Sequence, residues 1–165
     1  ILKISPAYLM GWTSSKDDLF STNEYSYFDT AVSAGLPNIV DGITQDEVQK
    51  LVIPDSVMGK WAGDKEVFVT RVNGESMNNV MEDGSLIAVK PIELPQLKNG
   101  DIVIYNYDGE YAVKRFYQQE DKIIFRPDSS DMSFTDLVID LEQFNLYYVD
   151  IEIIGKVVLY IVELD

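Results

Sequence analysis

The chain has 165 residues, of which 46% are hydrophobic and 12% aromatic, enough for one domain with a substantial core. Its 28 acidic residues outnumber 13 basic ones, and the formal net charge of −15 argues against this stretch binding a phosphate backbone by itself. Cysteine and histidine are both absent, which excludes disulfides, thiolate or imidazole metal sites and a Ser-His-Asp triad. Any hydrolase chemistry must therefore use a lysine or a carboxylate as its base.

The first 30 residues divide into two parts. Residues 1–12, ILKISPAYLMGW, place Ser5 and Pro6 at the N-cap and first position of a short helix. Residues 13–30 are polar and follow neither the helical nor the strand period, which predicts a linker. The chain starts with Ile1 and carries no signal-peptide pattern, so we expect a fragment of a longer protein. No stretch reaches the roughly 20 apolar residues of a membrane span, and the lack of cysteine suits a cytoplasmic protein.

From residue 31 onward, short segments rich in Val, Ile, Tyr and Phe are separated by Gly, Pro, Asn and Asp. This pattern predicts a mainly β domain with one or two short helices, at Thr44–Leu51 and Ser76–Met81. The expected strands are Glu66–Val72, Ser85–Pro91, Asp101–Tyr107, Glu110–Tyr117, Lys122–Arg126 and a strand pair within Ile151–Leu164.

One hairpin can be predicted in detail. Asp108-Gly109 lies between two alternating segments and is typical of a two-residue type I′ turn. The resulting register pairs Tyr107 with Glu110, Tyr105 with Ala112, Val103 with Lys114 and Asp101 with Phe116. Lys114 is then either exposed on an edge strand or partly desolvated among apolar neighbours. Asp101 lies diagonal to Lys114 and would oppose its deprotonation if its carboxylate came close.

Residues 73–84, NGESMNNVMEDG, hold a candidate for chemistry. A strand that ends at Val72 and enters a helical turn places the Ser76 hydroxyl beside free backbone N–H groups, as an oxyanion site requires. The same pattern fits an ordinary N-cap serine. Lys114 is equally ambiguous, because strand lysines are mostly solvated and only about 0.04% of an unperturbed lysine is neutral at pH 7. Burial would lower its pKa.

Four blocks follow one another within residues 31–160: NGESMNNVMEDGSLIAVKP, LKNGDIVIY, EYAVKRF and IIGKVV. Together they resemble the Ser-Lys self-cleaving domain of LexA, UmuD and phage CI-type repressors. The resemblance implies a compact, bent β-sheet domain of the β-clip type, with Ser76 as nucleophile and Lys114 as general base. It also implies that the backbone N–H groups of Ser76 and Met77 bind the oxyanion. We expect no cofactor and no metal, since the acidic segment 128–136 lacks calcium-loop spacing.

The resembled family cuts its own chain at an Ala-Gly or Cys-Gly bond ahead of the catalytic domain. TAVSAGLPN supplies Ala34-Gly35, in a cleavage-site segment at 31–38, although such a stretch is also typical of any loop. SPAYLMGW resembles the end of a Cro/CI-type helix-turn-helix domain. We therefore expect residues 1–12 to be the remnant of that domain, 13–30 a linker, and 31–165 the self-cleaving and dimerisation domain.

These resemblances imply the C-terminal part of a phage or prophage CI-type transcriptional repressor that inactivates itself after DNA damage. They imply a homodimer or higher homo-oligomer, with operator DNA bound through an upstream domain. The implied activator of cleavage is a RecA–single-stranded-DNA filament, and an antirepressor is the other candidate trigger. Two alternatives stay open: a UmuD-like polymerase accessory subunit, and a non-cleaving dimerisation module in which Ser76 and Lys114 are relics. A signal peptidase shares the dyad but needs a membrane segment.

Overall fold

The computed structural model describes residues 21–28, 49–144 and 151–161. These ranges form one nine-stranded sheet. Its strands are β1 Thr22–Phe28, β2 Lys50–Pro54, β3 Phe68–Arg71, β4 Leu86–Lys90, β5 Ile102–Tyr107, β6 Glu110–Gln119, β7 Lys122–Arg126, β8 Leu137–Asp140 and β9 Ile151–Ile161. Two four-residue helices, α1 (Asp55–Met58) and α2 (Leu141–Phe144), and two 3-10 turns, Gly59–Trp61 and Leu94–Gln96, join them. The predicted mainly β fold is confirmed.

The strand order is β2-β1-β3-β4-β9-β5-β6-β7-β8. Neighbouring strands run antiparallel, except that β1 and β3 run parallel with Ser26 opposite Phe68. The register of β9 shifts beside Ala88 in β4 and beside Ile104 in β5. Such irregularities bend a sheet, which agrees with the expected bent architecture. No helix within the described ranges is long and apolar enough to cross a membrane.

Residues 151–161 form one eleven-residue strand, so the predicted strand pair is wrong. This strand lies between β4 and β5 and pairs with both. Gly155 in its middle permits a close approach, because a Cβ there would lie 2.6 Å from the backbone oxygen of Lys90. Glycine inside an apolar segment therefore marks tight strand packing here and not a turn.

Residues 22–28 form β1, so the predicted linker over 13–30 is wrong for this part. Asn, Glu and Ser in TNEYSYF are poor strand formers, but pairing on both sides of β1 overrides that preference. Lys50 and Leu51 belong to β2 and not to the helix predicted over Thr44–Leu51. The rest of that helix, the expected helix-turn-helix remnant and the Ala34-Gly35 bond lie outside the described residues.

Candidate active site

The predicted hairpin of β5 and β6 is confirmed, and it fixes the position of Lys114. Asp108 and Gly109 both have positive φ angles, 52° and 82°, as a type I′ turn requires. Val103 pairs with Lys114, and the pairing of Tyr107 with Glu110 and of Tyr105 with Ala112 also agrees with the prediction. Beyond the strand, the Phe116 N–H donates to the Asp101 carbonyl at 2.7 Å.

Ser76 lies in the loop that connects β3 to β4. The Val72 N–H donates to the Ser85 carbonyl and the Gly84 N–H donates to the Val72 carbonyl, both at 2.9 Å, and these bonds close the base of the loop. The buried side chains of Met77 and Met81, each 0% exposed, fasten the loop to the core.

The helix predicted over Ser76–Met81 is replaced by hydrogen-bonded turns. The Met81 N–H donates to the Met77 carbonyl at 2.9 Å, which is a single helical bond. The Asn79 N–H donates instead to the carbonyl of Asp128 at 3.1 Å, outside the segment. A helix cannot propagate once a backbone donor is diverted in this way, since each further turn needs the i to i−4 bond.

The loop and the hairpin bring Ser76 and Lys114 together across 38 positions of sequence. The Lys114 Nζ lies 2.5 Å from the Ser76 Oγ, and it donates a second hydrogen bond to the Val113 carbonyl at 3.2 Å. Both side chains are half-buried. Of the two alternatives for Lys114, partial desolvation is therefore the one observed.

Burial lowers the pKa of Lys114 below its usual range, because the ammonium form loses solvation. Among the described residues, no carboxylate lies within ion-pair distance of its amine to oppose this effect. Asp101, the expected opponent, accepts hydrogen bonds from the Lys156 Nζ at 2.7 Å and from the Lys98 N–H at 3.0 Å. Lys156 compensates the negative charge of Asp101, so this carboxylate does not hold Lys114 in its ammonium form.

Two backbone donors beside the serine hydroxyl are unengaged. Within the described part of the chain, neither the Ser76 N–H nor the Met77 N–H donates a hydrogen bond. The next N–H groups along the loop do, since Asn78 donates to the Glu75 carbonyl at 3.3 Å and Val80 to the Met77 carbonyl at 2.9 Å. A pair of free N–H groups beside a nucleophile is what stabilises an oxyanion.

A carboxylate that the sequence did not single out joins the two halves of the site. Asp128 accepts a hydrogen bond from the Arg115 Nε at 2.6 Å and another from the Asn79 Nδ2 at 3.1 Å. Its backbone N–H donates to the Ser76 carbonyl at 2.9 Å. The Arg115 guanidinium holds the pKa of Asp128 below its ordinary value. Asp128 therefore ties the loop that carries Ser76 to the strand that carries Lys114.

The pairing of β6 with β7 could have indicated the contact between Asp128 and Arg115 from the sequence. Arg115 lies opposite Arg126, so Asp128 follows the cross-strand partner of Arg115 by two residues. A carboxylate at that distance can reach across to the guanidinium. The ion pair, and not the calcium-loop spacing, is therefore the informative feature of the acidic segment 128–136.

A serine hydroxyl, a desolvated amine and two free N–H groups together suit nucleophilic attack on a carbonyl carbon. The chain belongs to the Peptidase S24-like family, whose model matches residues 26–158. That range contains Ser76, Lys114 and every residue that holds them in place.

Curated relatives point in the same direction. A LexA repressor of Finegoldia magna is 39% identical over 94 residues, which is 56% of this chain and 38% of the relative. A LexA repressor of Myxococcus xanthus is 33% identical over 102 residues, which is 61% of this chain and 43% of the relative. LexA repressor 2 of Geobacter sulfurreducens is 34% identical over 103 residues, which is 62% of this chain and 46% of the relative. The chain thus spans less than half the length of these relatives. The predicted relationship to LexA-type domains is confirmed.

Proposed function

We propose that this chain is the C-terminal part of a transcriptional repressor that inactivates itself by cutting its own Ala34–Gly35 bond. The contact of 2.5 Å between the Ser76 Oγ and the partly desolvated Lys114 Nζ carries the proposal. Membership of the Peptidase S24-like family supports the peptidase chemistry, and the LexA repressors among its relatives support the regulatory role.

The reaction uses Lys114 as general base and then as general acid. Its neutral amine takes the hydroxyl proton of Ser76 while the Oγ attacks the Ala34 carbonyl carbon. The resulting oxyanion accepts hydrogen bonds from the N–H groups of Ser76 and Met77. The Lys114 ammonium gives its proton to the Gly35 nitrogen as the C–N bond breaks. A water molecule, deprotonated by Lys114, then hydrolyses the ester and restores the serine.

The parallel pairing of β1 and β3 supports attack within one chain. Phe28 lies opposite Thr70, an offset of 42 residues, and the same offset separates Ala34 from Ser76. Neighbouring parallel strands point to the same edge of a sheet, so the connection after β1 and the loop that holds Ser76 leave the sheet on the same side. The six residues from Phe28 to Ala34 can extend about 20 Å at most, which sets the reach that attack within one chain requires.

The whole repressor acts, in this proposal, as a cytoplasmic homodimer or higher oligomer of phage or prophage CI type. A domain N-terminal to the sheet binds operator DNA, which accounts for the scarcity of basic residues in the present chain. A RecA filament formed on single-stranded DNA triggers the cut after DNA damage, and an antirepressor is the alternative trigger.

The test is incubation of the purified chain from pH 6 to about 10.5, which brackets the free lysine pKa, followed by mass spectrometry. Fragments 1–34 and 35–165 should accumulate faster as pH rises and should be absent from Ser76→Ala. Ser56→Ala removes an exposed hydroxyl from α1 and serves as the matched control. A chain that stays intact at every pH, even with an activated RecA filament, would contradict self-cleavage and favour the non-cleaving dimerisation module.

A further inference from the structure

We propose that the part of the protein N-terminal to the cut stays bound to the rest after cleavage, because β1 is an internal strand. The space between β2 and β3 that β1 fills is called the strand slot below. The biological relevance of this proposal rests on the proposed self-cleavage. Retention of the N-terminal fragment itself is expected after any cut between Phe28 and Gln49. The occupant of the strand slot is the protein's own β1, carried by the N-terminal fragment.

The backbone of β1 is hydrogen-bonded on both edges. It pairs with β2 from Thr22–Pro54 to Ser26–Lys50, and with β3 from Ser26–Phe68 to Phe28–Thr70. The Tyr27 N–H donates to the Gln49 carbonyl at 2.8 Å, and the Asp55 N–H donates to the Ser21 carbonyl at 2.9 Å. A cut in the connection between β1 and β2 breaks none of these bonds.

Tyr25 anchors the middle of β1. Its side chain is 2% exposed. It belongs to a cluster with five other buried residues, which lie in β2, in α1, in or just before β3, and in β4: Ile53, Met58, Val67, Val69 and Ala88. Its hydroxyl accepts a hydrogen bond from the Gly63 N–H at 2.9 Å. Withdrawal of β1 would expose this apolar cluster and leave a backbone donor without its partner, and both effects favour retention.

Side chains fasten both ends of β1 as well. The Asn23 Nδ2 donates to the Asp55 Oδ1 at 2.6 Å near the start of the strand. At its end, the Phe28 ring packs edge-to-face on Phe68 with centroids 5.7 Å apart, and the Phe28 carbonyl accepts a hydrogen bond from the Thr70 hydroxyl at 2.9 Å. Retention is therefore distributed along the whole strand.

Peptide hydrolysis and separation of the fragments are consequently two events. The first breaks one covalent bond outside β1, and the second must unpair both edges of the strand and expose Tyr25. A repressor built in this way keeps its N-terminal part attached to the sheet until β1 is withdrawn, so the cut commits the protein to inactivation and separation completes it. Separation then proceeds with its own rate and has its own response to mutation.

The experiment introduces a cut that does not depend on self-cleavage. In the full chain carrying Ser76→Ala, residues 38–44 are replaced by the seven-residue recognition sequence of a sequence-specific protease. The cut protein is then examined at about 1 µM by size-exclusion chromatography and native mass spectrometry, without denaturant. We expect one species containing both fragments. Two separate species would overturn the proposal while leaving the self-cleavage chemistry untouched.

Matched variants on β1 test whether the strand slot is responsible. Tyr25→Ala should raise the dissociation constant of the two fragments by on the order of 100-fold, since it removes a buried ring. Glu24→Ala, which removes only an exposed ion pair with Lys50, should change it by no more than about threefold. Equal effects of the two substitutions would contradict the proposal.

The folding of each variant is checked by circular dichroism before the cut. If Tyr25→Ala is unfolded, Tyr25→Phe replaces it in the comparison. This variant keeps the ring and removes the hydroxyl, which accepts from the Gly63 N–H at 2.9 Å and donates to the Trp61 carbonyl at 3.5 Å. This variant should weaken retention by on the order of tenfold. A value equal to that of Glu24→Ala would again contradict the assignment of retention to β1.

Discussion

Two half-buried strand lysines in this protein have opposite electrostatic environments. Lys90, at the end of β4, donates hydrogen bonds to Asp64 at 2.9 Å and to Glu66, and these carboxylates raise its pKa. Lys114, in the middle of β6, meets a serine hydroxyl and a backbone carbonyl, and burial lowers its pKa.

The comparison shows that the pKa of a half-buried strand lysine depends on the carboxylates within reach of its amine as well as on burial. Lys90 keeps its charge because two carboxylates stabilise the ammonium form. Asp101 would do the same for Lys114, but it is engaged by Lys156. The chain has 28 acidic residues, yet none of those in the described ranges forms an ion pair with the Lys114 amine.

The largest expected effect comes from removing either partner of the Ser76–Lys114 pair. Ser76→Ala and Lys114→Ala should each lower the rate of cleavage by at least about 100-fold, because nucleophile or general base is lost. Lys90→Ala is the matched control and should leave the rate unchanged. Cleavage is followed by mass spectrometry at a fixed pH, and dimerisation by light scattering.

Equal cleavage rates in Lys114→Ala and Lys90→Ala would remove the functional distinction between the two lysines. Loss of folding in Ser76→Ala or Lys114→Ala would instead make that residue structural.

A smaller effect is expected from Asp128→Asn, which weakens the link between the Ser76 loop and β6. The cleavage rate should fall by on the order of tenfold, since misplacement of two reacting groups costs rate without altering either group. Asp136→Asn breaks a comparable pair with Arg126 at 2.7 Å and is the control. The two variants are compared by rate and by thermal unfolding, and an equal rate for both would exclude a positioning role for Asp128.

The two lysines should also affect stability with opposite signs. Because its folded-state pKa is lowered, Lys114 destabilises the fold at pH values below its unfolded pKa of about 10.4. Lys114→Met should therefore raise the free energy of unfolding by about 1 kcal/mol at pH 7, and the gain should shrink as pH approaches 10.4.

For Lys90 the folded-state pKa is raised, so its stabilisation is fully present at pH 7 and is lost as pH rises through the folded value. Lys90→Met should lower the free energy of unfolding by up to about 1 kcal/mol. Urea unfolding at several pH values measures both lysine variants, and a common sign would contradict the comparison.

The smallest expected effect concerns Asp101. Lys156 and Lys114 both lie opposite Val103, on either side of β5, so their strands are about 10 Å apart. Asp101→Asn leaves the Lys156 charge uncompensated, which should lower the pKa of Lys114 by about 0.3 units or less. The pH dependence of cleavage should move to lower pH by that amount, and a move to higher pH would contradict the predicted sign of the interaction.

Several features were determined by the sequence alone. Asp108-Gly109 specified its turn, and the alternation of residues on either side then fixed the pairing of Val103 with Lys114. Both signals are local: a type I′ turn needs two residues with positive φ, and strand side chains repeat every two residues. The four ordered blocks, through their resemblance to self-cleaving repressor domains, likewise predicted Ser76 and Lys114 as a pair.

Other features were decided only by the tertiary structure. TNEYSYF mixes strand formers with Asn, Glu and Ser in a polar stretch, and it becomes β1 because β2 and β3 supply partners from beyond residue 49. Asp128 acquires its role because the chain after β7 returns to both Arg115 and Asn79. Gly155 marks the close approach of β9 to β4 within the segment for which the sequence predicted a strand pair. In each case the deciding energy comes from pairing or contact between distant segments, and neither propensity nor periodicity within a segment can encode that partner.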